Sequence, residues 1–163
     1  MKTLWLPTMV VAFLLLCTNG MYAQSAQIKL NHYNLKQNVG IWKSEIAKDT
    51  TSFRDFKSYG TGFVTDWKIV TNETTVNEWI ITFGYVLEID KYIITSKGND
   101  IQVYAAWFAS KNTMLIIPYA DISNPEKASW KMTDEYLSPD KFVETILVND
   151  KPVNTSTWTR VKY

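Results

Sequence analysis

One cysteine and one histidine in 163 residues leave little material for several common chemistries. A single thiol cannot build a disulfide framework. With one imidazole beside it, neither a zinc site nor a thiol enzyme has its usual residues. Charge of one sign is equally scarce: 17 basic and 16 acidic side chains leave a net charge of +1. Nothing in that balance calls for nucleic acid or an anionic membrane as partner. Six Gly and five Pro are too few for a collagen-like repeat or a low-complexity linker. What is abundant is apolar and aromatic bulk, 46% hydrophobic and 14% aromatic, the profile of one ordered globular domain.

The longest apolar run is N-terminal. Lys2 supplies a positive start, and Leu4 through Cys17 is almost wholly apolar before Thr18, Asn19 and Gly20 break it. The run, about 14 residues, falls short of the roughly 20 a spanning helix needs. It reads as a secretory signal over residues 1–23, with Ala23 as the small residue before cleavage. The expected mature domain, 24–163, has 140 residues and no net charge, having lost Lys2 and no acid. It is expected to be secreted or periplasmic, without a transmembrane segment. Leu14-Leu15-Leu16-Cys17 also suggests a lipoprotein signal, in which Cys17 is lipidated, but Leu16 stands where that processing takes a small residue. Without Cys17 the domain relies on its core, which a chain of this length can supply.

Residues 24–38 form a polar lead-in in which Ile28, Tyr33 and Leu35 are suited to cover one end of a core, as a helical turn or irregular plug. After residue 40 the periodicity becomes two. Trp42, Ser44 and Ile46 alternate with their neighbours, then Phe63, Thr65, Trp67 and Ile69, then Trp79, Ile81, Phe83, Tyr85 and Leu87. Such β-branched and aromatic alternation suits a pleated surface. Lys97-Gly98-Asn99-Asp100, Ser110-Lys111-Asn112, Ser138-Pro139-Asp140 and Asn149-Asp150 punctuate further strands at 92–96, 101–110, 113–118, 129–137, 141–148 and 153–163. No strand is predicted over Ala47–Gly60, which is polar and aperiodic. Nine or ten strands, no amphipathic helix after residue 40 and no linker predict one all-β domain.

Gly40-Ile41-Trp42 opens the first strand, and Trp158-Thr159-Arg160 lies in the last. This pairing resembles the calycin superfamily, in particular compact secreted lipocalin-like domains of bacteria. There a Gly-x-Trp in the first strand packs under an Arg from near the chain end. The resemblance spans residues 38–163 and implies a single antiparallel up-and-down barrel of about eight to ten strands. Gly40, Trp42 and Arg160 would be its structural signature: the guanidinium stacks on the indole, and its N–H fork reaches backbone carbonyls. The chain departs from lipocalins in lacking a late Thr-Asp-Tyr and a helix after the barrel. It also lacks the helical pair that fatty-acid-binding proteins insert after the first strand.

Catalytic candidates are few. His32 lies in the lead-in, without a second His or a nucleophile elbow to work with. For paired-carboxylate hydrolysis the sequence offers Asp55, Asp66, Glu78, Glu88, Asp90, Asp134, Glu135 and Glu144, most of them on a polar strand phase or in turns. Glu144 shares its phase with Phe142, Ile146 and Val148, so it either points inward as a ligand anchor or lies on an outer face. Asn72-Glu73-Thr74 and Asn154-Thr155-Ser156 match the glycosylation acceptor pattern and read as surface loops.

The remaining signal is aromatic. Trp67, Trp79, Phe83, Tyr85, Trp107 and Tyr136 are the candidate ligand-binding residues, with Thr65, Tyr85 and Tyr136 as polar points in the lining. Tyr104 and Phe108 are the alternatives to Trp107 on the other phase. These rings either fill a small barrel or line a cavity, and a cavity is expected because so much aromatic bulk is hard to pack without gaps. The chain is expected to bind a small hydrophobic or aromatic molecule without catalysis, metal or cofactor. Its alternative role is docking glycans or proteins on an exposed aromatic surface. The first needs Trp67, Trp79 and Phe83 shielded, the second several exposed Trp.

Overall fold

The structure is a computed structural model, and it describes residues 35–98 and 100–162. The expected leader, Cys17 and His32 lie outside the described residues. Ten strands follow one another: β1 (Gly40–Ala47), β2 (Thr50–Tyr59), β3 (Gly62–Thr71), β4 (Thr74–Val86), β5 (Lys91–Lys97), β6 (Ile101–Phe108), β7 (Thr113–Pro118), β8 (Trp130–Ser138), β9 (Lys141–Val148) and β10 (Lys151–Arg160). Each pairs antiparallel with its sequence neighbour, and β1 closes on β10, Trp42 opposite Arg160. The fold is a closed ten-stranded up-and-down barrel, its seam made by Trp42 opposite Arg160 and Lys43 opposite Thr159.

The tenth strand is the one the sequence hides. β2 crosses the stretch for which no strand is predicted, in unbroken register with β3 from Thr50 opposite Thr71 to Tyr59 opposite Gly62. Its inward residues are Ser52, Arg54 and Phe56, all buried. Two of those three are polar, so the alternation of hydropathy that marks a half-buried strand is absent although the alternation of burial is present. At the other end of β4, Leu87 leaves the strand in a short 3₁₀ turn, Leu87–Ile89, closed by Asp90 at φ 50°. Asn72-Glu73 and Asn149-Asp150 both have positive φ at consecutive positions, as tight hairpins require. Asn72 thus sits in a turn. Asn154, expected in a loop, instead stands exposed on β10, just after a register shift at Pro152.

One end of the barrel is plugged. The chain enters at Leu35, fully buried, in a turn where the Asn38 and Val39 N–H groups donate to the Leu35 and Lys36 carbonyls. Trp42 Nε1 donates to the Asn38 carbonyl at 2.8 Å, and Asn38 Nδ2 to the Tyr136 hydroxyl at 2.7 Å. Phe142 stands edge-on to Trp42 and stacks on Trp158, with ring centroids at 5.0 and 5.9 Å. Phe108 and Tyr136 complete this aromatic floor. Outside it, Arg160 lies 4.4 Å from the Trp42 ring. Its guanidinium donates to the carbonyls of Gln37, Val39 and Pro139 and to Asp140 Oδ1. The lead-in, β1, the β8–β9 turn and β10 are tied together by that one side chain.

Gly40 is what lets the guanidinium approach. Its φ is +123°, and a Cβ there would sit 2.7 Å from an Arg160 terminal nitrogen. Gly40→Ala is expected to lower stability by about 1–3 kcal/mol, read as a lower urea midpoint with an unchanged slope. Full stability in that variant would mean the Arg160 contacts are dispensable.

Candidate functional site

Above the aromatic floor the barrel is hollow. The cavity measures about 300 Å³, the lower end of ligand-pocket size. Apolar walls come from Phe56, Ile81, Phe83, Ile94, Met114, Ile116, Met132 and Ile146; Trp67, Trp79, Tyr104 and Trp130 add the rings. They cluster by strand pairing: Trp67 faces Trp79 across β3–β4, with centroids 5.0 Å apart, while Tyr104 lies 5.4 Å from Trp130. Trp79 rests on the backbone of the β5–β6 turn, where a Cβ on Gly98 would meet its indole at 2.3 Å. A wider cleft crosses the outer faces of β1 to β4, walled by exposed charged side chains such as Asp66, Lys68 and Glu78. Its volume is about 800 Å³, and Trp67 and Trp79 line it as well.

Three charge-bearing side chains reach into the enclosed cavity: Arg54 from β2, Asp134 from β8 and Glu144 from β9. Each is 4–5% exposed. The Arg54 guanidinium is sandwiched between two indoles, 4.1 Å from the Trp67 ring and 3.9 Å from Trp158, and pairs with Glu144 at 2.7 Å. The cation is thereby desolvated but compensated on three sides. Asp134 stands opposite Glu144 in the β8–β9 register, and its Oδ1 has no hydrogen-bond partner among the described residues. Burial above all, then the neighbouring Glu144 charge, pushes the Asp134 carboxyl up to about 8, while Arg54 pulls the other way. At neutral pH Asp134 is therefore an O–H donor on the wall of an apolar chamber.

Of the six residues expected to touch ligand, Trp67, Trp79 and Phe83 line this cavity. Tyr85 faces inward but packs on Tyr92 and donates to Asp90 at the plugged end. Tyr136 belongs to the aromatic floor, held by Asn38, and burial holds its hydroxyl protonated well beyond the ordinary range. Thr65 is fully buried, with its hydroxyl unpartnered among the described residues. Trp107 is on the outer face, where it packs with Ala105, Ile117 and Ala128 and carries Lys91 Nζ 4.3 Å from its ring. The inward phase of β6 is Gln102, Tyr104, Ala106 and Phe108, because Ala105 and Trp107 are needed outside against the 119–129 segment. Glu144 takes the inner of its two open positions. Arg54 was not foreseen as a site residue, and its only sequence signal is a charge in step with Ser52 and Phe56.

None of the six Trp between residues 35 and 162 is exposed. No three His, Cys, Asp or Glu side chains come together as a metal-ligand set among the described residues, and no helix there is long and apolar enough to cross a membrane. Compared with protein-family models, curated proteins and solved structures, the chain matches none. What fold and site define is a closed barrel with an enclosed aromatic chamber and a buried Arg–Glu–Asp cluster in its wall.

Two stability predictions follow from that cluster. A carboxyl whose native pKa is raised from 3.8 to about 8 binds more protons folded than unfolded between those values. Its contribution is fully present below about pH 3.8, declines as pH rises and levels off above about 8. Asp134→Asn removes this slope, so its stability relative to wild type should climb between pH 5 and 8, by up to about 1.4 kcal/mol per unit. Urea midpoints at several pH values measure it, and a constant difference would place a charged Asp134 in the folded state. Arg54→Met should cost about 3–5 kcal/mol by stranding Glu144, whereas Arg54→Met with Glu144→Leu should recover most of that loss.

Proposed function

We propose that this is a lipocalin-like binding protein, exported through its N-terminal segment, that holds a small hydrophobic or aromatic molecule inside the barrel without chemically changing it. The observation that carries the reading is the cavity of about 300 Å³ inside the barrel, walled by Trp67, Trp79, Phe83 and Met132. Burial of apolar ligand surface supplies the affinity, at roughly 25 cal/mol per Å² before the costs of association. The buried polar cluster supplies orientation. The lock of Gly40, Trp42 and Arg160 at the plugged end supports the likeness to calycin barrels. Trp42 and Trp158 are buried and the other four described Trp half-buried, which favours an internal site over glycan or protein docking on an aromatic surface that needs several exposed Trp.

A second reading is favoured by Asp134. A carboxyl pushed up to about 8 with a second carboxyl, Glu144, beside it is the kind of pairing general acid–base catalysis uses. In that case the chamber is an active site acting on the molecule it encloses.

Native mass spectrometry of the protein purified from its natural compartment separates these readings. A co-purified small molecule, released unchanged and lost in Trp79→Ala or Phe83→Ala, is the expected result. A released molecule that differs from the one supplied would establish turnover. An empty wild-type protein that also takes up no apolar dye would overturn both.

A further inference from the structure

We propose that the molecule held in this cavity carries a protonated amine, which docks against Asp134 and Glu144 while its apolar body lies among Trp67, Trp79, Tyr104 and Trp130. This rests on the binding reading above and adds the ligand's chemistry to it. The argument begins with a count of charges. Two carboxyl groups and one guanidinium share the chamber wall, and among the described residues no second basic side chain lines it. Arg54 is ion-paired with Glu144 through one terminal nitrogen and covered on both faces by indoles, while its Nε and that nitrogen make no hydrogen bond among the described residues. Asp134 is left without a counter-ion, almost fully buried, with one oxygen unpartnered among the described residues. With Asp134 protonated the empty cluster is neutral; once Asp134 ionises it is one positive charge short.

Each class of head group fares differently there. A carboxylate would add a negative charge beside Glu144 and the Asp134 carboxyl, and it could reach Arg54 only at its edge, since indoles cover both faces. A hydroxyl could accept from protonated Asp134 but offers no counter-ion once that carboxyl ionises. An ammonium can take the place of the Asp134 proton, with three donors for carboxylate oxygens, and the four rings lining the cavity favour a cation over their faces. The groups facing Asp134 are Glu144 from β9, Arg54 from β2 and Tyr136 on its own strand; β7 contributes Met114. Burial of Asp134 keeps it protonated in the empty chamber, so an ammonium must displace that proton. A cavity of this size takes a body about as large as a bicyclic aromatic ring.

The test compares three probes with one indole body: tryptamine, tryptophol and indole-3-propionate. They are titrated calorimetrically into wild-type protein between pH 6 and 8, in buffers of different ionisation enthalpy. The uncharged dye N-phenyl-1-naphthylamine reports separately on the cavity by its fluorescence. The expected result is that tryptamine binds tightest, tightens by up to about tenfold per pH unit and releases a proton, while tryptophol binding stays flat. Asp134→Asn should abolish that slope and weaken tryptamine at pH 8 by at least about tenfold, leaving tryptophol within a few fold. Should that variant not fold, the wild-type slopes still decide. Dye binding with tryptophol as tight as tryptamine at pH 8, or with no indole probe bound, would overturn the amine and leave the binding barrel standing. If dye and probes all fail to bind, both fall.

Discussion

Arg54 is the side chain on which the interior of this barrel depends. A guanidinium held at 4% exposure would be ruinous alone, since a buried ion loses several kcal/mol of hydration even after the protein relaxes. It is tolerated because Trp67 and Trp158 cover its two faces and Glu144 pairs with it at 2.7 Å. The indoles come from strands on either side of the barrel's closure, β3 and β10, so the cation also acts as a spacer between them. A second charge, Asp134, is then placed beside the pair with nothing to balance it. The barrel has spent stability on polarity in its interior, and such expenditure is concentrated where a protein handles a ligand.

The two arginines of the barrel show how burial sorts similar chemistry into different roles. Arg160 also lies over an indole, that of Trp42, but its hydrogen bonds run to backbone carbonyls of the lead-in and the β8–β9 turn. Every contact it makes joins chain segments, and its anionic partner Asp140 is in part solvated and held below the ordinary carboxyl range by Lys162 and by Arg160 itself. Arg160 therefore closes the barrel. Arg54, one stack of rings away, faces a cavity with its ionic partner sealed from water. The aromatic floor of Trp42, Phe142 and Trp158 separates the two environments.

Charged interior positions also explain where reading the chain from its pattern works and where it stops. Strands such as β3 and β4 alternate large apolar and polar residues over nearly their whole length, so their existence and inner phase, Trp67, Trp79 and Phe83 included, are visible directly. β2 has the same alternation of burial, yet Ser52 and Arg54 on its inner phase remove the hydropathy signal. β6 has apolar residues on both phases. The choice of Tyr104 and Phe108 over Trp107 as inward depends on the 119–129 segment, which covers the outer face there. Glu144 was legible as a residue in step with Phe142 and Ile146. Its partner was not, because the two lie 90 positions apart and only closure of the sheet brings β2 and β9 across the chamber from one another.

By itself the sequence determined that this is one all-β domain of alternating strands, with Gly40, Trp42 and Arg160 placed to lock its two ends together. Those features follow from local periodicity and from residue types whose geometry is nearly obligatory. The tertiary structure alone decided that the barrel closes with ten strands, that its middle is hollow rather than filled, and that Arg54, Asp134 and Glu144 share the wall of that space. The reason is physical. Side-chain phase is set residue by residue along a strand, whereas a cavity and the burial of a charge are properties of how distant strands meet, and no short window of sequence contains them.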